Sequence, residues 1–237
     1  MTYSFGVIKW NKDEIESLRV GINKILTRNR QHHPHAAVER MTLPRSEGGR
    51  GLIDLHALQK NQISNLRDYF QNKTEKSKLH KDIVDIDKKY TPLNLASDSK
   101  EYNAINKNQL IKDKLTTLKN KSLHGRHQSA LASKIVDRDA SNSWLAKAGF
   151  FAETEGFVIA IQDQMIPTKN FKKHIMKDTK YNNDKCRLCH KYKETITHII
   201  SGCEKIAGSD YTHRHDQVAK IIHQKIAKKS NLSIVEC

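Results

Sequence analysis

CRLCHKYKETITHIISGC, residues 186–203, is the stretch on which the reading of this chain turns. Cys186 and Cys189 stand two residues apart, His198 follows after eight more, and Cys203 after a further four. Two cysteines at the first spacing sit on a knuckle whose backbone N–H groups support both sulfurs. His198 and Cys203 then return from a short helix. Three thiolates and one imidazole are a usual tetrahedral set for Zn2+, so the stretch predicts one small unit folded around one ion. All four positions are filled, which leaves none for water, so the ion is expected to be structural and not hydrolytic. Lys185, Arg187, Lys191 and Lys193 lie alongside and are expected to favour the thiolate forms. His190 could compete as a ligand, and His213 or His215 could replace His198. The bland alternative is a set of buried cysteines with an unrelated histidine. Cys237 is expected to be a free thiol. Four cysteines in 237 residues do not suggest a disulfide framework, which points to a reducing compartment.

Outward from the knuckle, hydrophobic periodicity predicts a mainly α chain. A final helix over 216–229 carries Val218, Ile221, Ile222 and Ile226 on one face. Residues 150–165 are the most apolar part, and Phe157, Val158, Ile159 and Ile161 are expected in the core. Trp144, beside Leu145, is read as core, with base stacking as the alternative. Ile15, Leu18, Ile22, Ile25 and Leu26 form a helical stripe over 11–29, with Asn11 as N-cap and Glu14 completing a capping box. Gly21 weakens that helix unless it serves a close packing contact. A second helix is expected from Asp54 to about Phe70, and another within 104–123. Tyr3–Trp10 alternates loosely and reads as a short strand. Residues 72–99 are polar and weakly periodic, and read as a linker or loosely ordered helix. Gly48, Gly49 and Gly51 mark a tight turn needing positive φ, with phosphate approach as the sharper alternative. Their spacing is not a nucleotide fingerprint.

Lys and Arg number 42 against 26 Asp and Glu, a net charge of +16. A surplus of that size favours a polyanionic partner, DNA or RNA first and an anionic membrane second. There is no apolar run long enough for a transmembrane helix, and Met1–Trp10 does not read as a signal peptide. Hydrophobic residues at 37% imply a modest core under a heavily charged surface.

Two blocks of sequence resemble a known family. Residues 30–34 (RQHHP), Arg40, and residues 43–52 (LPRSEGGRGL) are similar to the thumb region of reverse transcriptases from non-LTR, LINE-like retrotransposons. The likeness is to the site-specific class with a restriction-like endonuclease. Residues 154–157 (TEGF), 160–164 (AIQDQ), the Cys186/Cys189/His198/Cys203 knuckle and residues 214–218 (RHDQV) continue it. The resemblance covers roughly 3–70 and 143–232. It implies three regions: a thumb-like segment over 1–70, a variable charged connector over 71–142, and a helical region over 143–237 holding the CCHC knuckle. It implies nuclear or cytoplasmic residence and DNA or RNA as partner; the oligomeric state is left open.

The same resemblance implies a piece of a polyprotein. Polymerase chemistry needs paired aspartates to hold two metals, and no Asp-Asp step occurs here. The family's nuclease needs a Pro-Asp step, which is also missing. The chain is therefore expected to be non-catalytic, with the truncated form of an active polymerase and endonuclease as one rival and a zinc-stapled protein-interaction module as another. Arg28, Arg30, Arg40, Arg45 and Arg50 are implied phosphate contacts of the thumb, or else loop residues paired with Glu39 and Glu47. Arg214 and His215 follow the knuckle and are expected either at phosphate or packed on the metal cluster. His32 and His33 lack a partner cysteine or carboxylate pair, so metal or acid–base work is not expected of them.

Overall fold

The computed structural model describes residues 2–97 and 103–231. The fold is mainly α. Among the described residues no sheet forms, and one isolated antiparallel bridge joins Lys185 to Lys193. The chain separates into two compact units, 1–165 and 166–237.

In the first unit, α1 (Lys12–Arg28), α2 (Glu39–Thr42), α3 (Leu55–Lys73), α4 (Lys78–Ile86) and α5 (Lys107–Lys119) are followed by α6 (Gly125–Leu131), α7 (Arg138–Asn142), α8 (Trp144–Lys147) and α9 (Ala152–Gln162). The expected start of α1 is present. The Asn11 side chain accepts the Glu14 N–H, and the Glu14 carboxylate accepts the Asn11 N–H, both at 2.8 Å. Asp54 caps α3 by accepting the Ala57 N–H at 3.0 Å, and Asn106 caps α5.

Two small apolar clusters hold this unit. Ile63, Val84, Leu93 and Leu95 form one, with Leu66 and Phe70 packed against it. Ala37, Leu43 and Leu118 form the other, with Ile111 and Leu115. The 72–99 stretch is therefore not a loose linker where it is described. α4 forms within it, and residues 87–97 fold back on α3. Arg67 of α3 donates to the carbonyls of Leu93, Asn94 and Ser97, and Gln71 donates to that of Leu95. Periodicity missed this because the apolar side chains sit in a loop held by hydrogen bonds.

Three further expectations change. Residues 3–10 are not a strand. Thr2–Gly6 is a 3-10 turn, closed by Val7 and Ile8 N–H bonds to the Ser4 carbonyl. Phe5 is buried there while Tyr3 and Val7 are exposed, so the three do not share a face. Gly21 faces open space, with nothing within 4 Å of where a Cβ would stand. In α9, Ile159 is buried as expected and Val158 and Ile161 are partly buried, but Phe157 is 57% exposed. Trp144 is half-buried, with its ring 6.0 Å from that of Phe150.

The glycine-rich turn takes positive φ at two of its three glycines, while Gly49 instead serves close approach to the Leu43 backbone. Gly48 and Gly51 have φ of +79° and +71°, which a side chain with Cβ adopts only under strain. Gly156 of α9 serves a close approach. A Cβ there would lie 2.3 Å from the Gln31 carbonyl oxygen, so α9 presses directly on the backbone of the 30–34 turn.

The second unit contains α10 (Lys169–His174), α11 (Ile196–Ser201), α12 (Glu204–Ile206) and α13 (Thr212–Lys229), with a π turn over Ala207–Tyr211. No helix among the described residues is long and apolar enough to cross a membrane.

Candidate metal centre and the arginine motifs

The second unit is organised around Cys186, Cys189, His198 and Cys203. Their ligand atoms all lie within 4.8 Å of one another, close enough to hold one metal ion. Cys186 Sγ stands 3.9 Å from Cys203 Sγ, and Cys189 Sγ 3.3 Å from His198 Nε2. A tetrahedral ion with bonds of about 2.3 Å to sulfur and about 2.0 Å to nitrogen sets ligand separations of roughly 3.5–3.8 Å, and these two separations are compatible with such an ion. The three sulfurs are buried and the imidazole is half-buried.

Local hydrogen bonding explains the placement. The Cys186 N–H donates to the Tyr192 carbonyl and the Glu194 N–H to that of Asp184, both at 2.7 Å, which closes a short hairpin over 184–194. Within it, the Leu188 N–H points at Cys186 Sγ at 3.4 Å and the His190 N–H donates to the Cys186 carbonyl at 2.9 Å. His190 takes a positive φ of 58° and is exposed, outside the ligand set. Thr195 caps α11 by accepting the His198 N–H at 3.1 Å, which fixes the turn that carries the imidazole. His213 and His215 lie on α13 outside the cluster, and His198 fills the fourth position.

The Cys189 thiol is tuned by backbone and not by the neighbouring cations. Cys189 is brought down to about 6, chiefly by the Tyr192 and Lys191 N–H groups. Burial pushes Cys203 up. The flanking cations have other partners. Arg187 binds Glu194, Lys191 lies 2.8 Å from Glu204, and Lys193 lies 3.8 Å from Asp184.

Two supporting residues escaped the sequence reading. Glu194 is fully buried and accepts the Lys169 N–H at 2.8 Å, the Arg187 N–H at 2.8 Å and the Arg187 guanidinium at 2.6 and 2.9 Å. It ties the knuckle to the start of α10. Burial opposes its charge, but these donors outweigh burial and hold its carboxyl at about 2. Tyr211 Oη accepts the Cys203 N–H at 2.9 Å and lies 2.9 and 3.2 Å from the Ile199 and His198 carbonyls, clamping the two halves of the ligand set. Arg214 packs its guanidinium 4.9 Å from the Tyr211 ring and donates to the Ile200 carbonyl, so it belongs to the knuckle's support. His215 is exposed beside Asp216.

Arg28, Arg30, Arg40, Arg45 and Arg50, the arginines singled out from sequence, divide sharply. Arg40 is fully buried, with Nε 2.7 Å from Asp163 Oδ1 and Nη1 2.8 Å from both the Gly48 carbonyl and Gln162 Oε1. Asp163 also accepts the Ala37 N–H at 2.8 Å. Burial pushes the Asp163 carboxyl up while Arg40 holds it back. Arg50 is buried as well, donating to the Gln31 carbonyl with Nε 3.6 Å from Glu155. Arg45 reaches Glu155 at 2.9 Å and the Leu145 carbonyl, although its side chain stays 43% exposed. As contacts to phosphate, Arg40 and Arg50 are out of reach, because their guanidinium groups face carboxylates inside the unit. Arg28 and Arg30 are exposed. The partners Glu155 and Asp163 differ from the Glu39 and Glu47 expected from sequence, which instead pair with Lys121 and Arg138.

Comparison of the chain with family models, with curated proteins and with solved structures returned no match.

Proposed function

We propose that this chain is a nucleic-acid-binding part of a non-LTR retrotransposon polyprotein, stabilised by one structural Zn2+ on Cys186, Cys189, His198 and Cys203. The observation that carries the reading is the closed Cys3His cluster at the centre of a strongly basic unit. Residues 166–231 hold 15 Lys and Arg against 6 Asp and Glu. Zn2+ fits the donor set, since three sulfurs and an imidazole are its usual structural ligands, and a filled tetrahedron has no place for a reacting water. A fixed scaffold bearing that charge releases counterions when it meets phosphate. The family assignment rests on the two resembling blocks. In support, those blocks meet through Arg40–Asp163, Arg45–Glu155 and Gly156 on Gln31, as parts of one folded unit do. Polymerase and nuclease chemistry is assigned to the parent element, not to these residues.

The test pairs metal content with binding to single- and double-stranded DNA and RNA across a salt series, wild type beside Cys186→Ser. One bound zinc, with affinity that falls steeply with salt and drops in the variant, is the expected result. Zinc without salt-dependent binding would leave a metal-stapled interaction module. One observation favours that second reading: Val218, Ile221, Ile222 and Ile226 of α13 are each more than half exposed. An intact reading frame upstream containing paired aspartates would favour the truncated-enzyme alternative.

A further inference from the structure

Resting on the nucleic-acid reading, we infer that the cavity between the Arg30–Pro34 turn and α9 receives a single unpaired nucleobase, stacked on Phe157, with its edge toward His32 and its phosphate at Arg30. The cavity measures about 310 Å³ and is lined by Arg30, His32, Pro34, Glu153, Phe157 and Ala160, among others. That is the lower end of the range for small-ligand sites, and it has the composition of one: apolar walls with a few polar groups.

Three observations converge there. Phe157 lies in the most apolar stretch of the chain, yet its side chain is 57% exposed while its neighbours Gly156 and Ala160 are buried. An aromatic ring held on a helix at a cavity rim offers a flat face without first having to be ordered. His32 is 5% exposed and its Nδ1 has no hydrogen-bond partner. His32 lines the cavity, so its imidazole is the polar ring a ligand there would meet. Burial, with Arg50 and His33 nearby, brings His32 down to about 4, so near neutral pH the imidazole is uncharged and can bond the donor or acceptor edge of a base. Arg30 is exposed at the mouth and holds a positive φ of 57°. It is free of the carboxylates that engage Arg40, Arg45 and Arg50, and supplies the cation for the attached phosphate.

The chemistry selects unpaired strands. A base in a duplex cannot reach a ring at a cavity rim, and every base has a face to stack, so the site is expected to be tolerant of sequence. The experiment uses the full chain with zinc and three probes: a mixed-sequence single-stranded oligonucleotide, an abasic oligonucleotide of the same length and charge, and the corresponding duplex. Wild type is expected to bind the base-bearing strand more tightly than the abasic one. Phe157→Ala should weaken the base-bearing strand alone by about tenfold. Phe157→Trp should retain that preference and show fluorescence quenching on binding. Because the ring is largely exposed, neither variant should disturb folding, and unchanged melting checks this. Phe157→Ala that matches wild type on the base-bearing strand, or that weakens all three probes equally, overturns the pocket while leaving the nucleic-acid reading in place. Wild type that binds none of the probes overturns both.

Discussion

Single residues in the first unit carry more structural weight than charge counting suggests. Arg40 illustrates why. A guanidinium with no exposure has lost its water, and its position is tolerable only because Asp163, Gly48 and Gln162 surround it. Arg40→Ala strands the Asp163 carboxylate and is expected to destabilise the unit by about 3–5 kcal/mol in denaturant melts. Arg40→Met with Asp163→Leu should cost clearly less than the sum of the two single changes, since neither charge is then left alone. An additive result would mean the two side chains do not depend on each other. Asp87 is a second such point, and its effect depends on pH. It accepts the Leu95 N–H at 2.9 Å, the Thr91 N–H at 2.9 Å and the Thr91 hydroxyl at 2.8 Å. Burial raises its pKa, but these donors outweigh burial and leave it below the ordinary value. A depressed carboxylate stabilises above its unfolded pKa of about 3.9 and loses that contribution as pH falls toward the folded value. Asp87→Asn should therefore cost about 1–3 kcal/mol at neutral pH, with the gap to wild type closing below about pH 4. A gap that persists at pH 2 would show that shape, and not charge, holds the 87–97 loop.

At the scale of elements, what was legible in the sequence was local. The caps of α1 and α3 stand at Asn11 and Asp54 because side chain and accepted N–H lie three residues apart, a relation any sequence displays. The four side chains of the candidate metal centre were legible for the same reason: bringing four ligand atoms together from a hairpin and a short helix restricts their spacing. The failures were long-range. Nothing near Arg40 announces Asp163, more than a hundred residues away, so its positive charge read as available to a phosphate. The exposure of Phe157 depends on what α9 packs against, and hydrophobicity alone does not reveal it. Glu194 falls between these cases, because it lies inside the knuckle sequence but acts through Arg187 and the start of α10. Glu194→Gln keeps the shape and removes the charge that these donors face. It is expected to weaken zinc binding by about tenfold, read by competition with a chelator, as loss of an outer-shell partner commonly does. Unchanged affinity would mean that the Cys186–Tyr192 hairpin bonds suffice to hold the ligands.

The whole molecule joins two units stabilised by different means. Residues 1–165 fold around apolar clusters and buried ion pairs, whereas the described residues of the second unit, 166–231, have little apolar interior besides Cys186, Cys189, Cys203, Phe171, Ile196 and Ala227. A unit that small, with a large positive excess, cannot bury enough apolar surface to offset its chain entropy and self-repulsion without another source of stability. Metal binding supplies that source in small metal-centred domains, where the free energy of binding is the free energy of folding. Calorimetry of the zinc-loaded chain is therefore expected to resolve two transitions. Excess chelator should abolish the one belonging to 166–237 and leave the other within a few degrees. Under the proposed function, the salt slope of nucleic-acid binding would separate the units again. Each phosphate contact contributes about −0.7 to −0.9 to the logarithmic slope, so chelation should flatten the slope by several such increments if the knuckle unit carries most contacts. The slope should stay unchanged if the exposed Arg28 and Arg30 of the first unit carry them. Disappearance of both calorimetric transitions on chelation would show instead that the first unit depends on the second to fold.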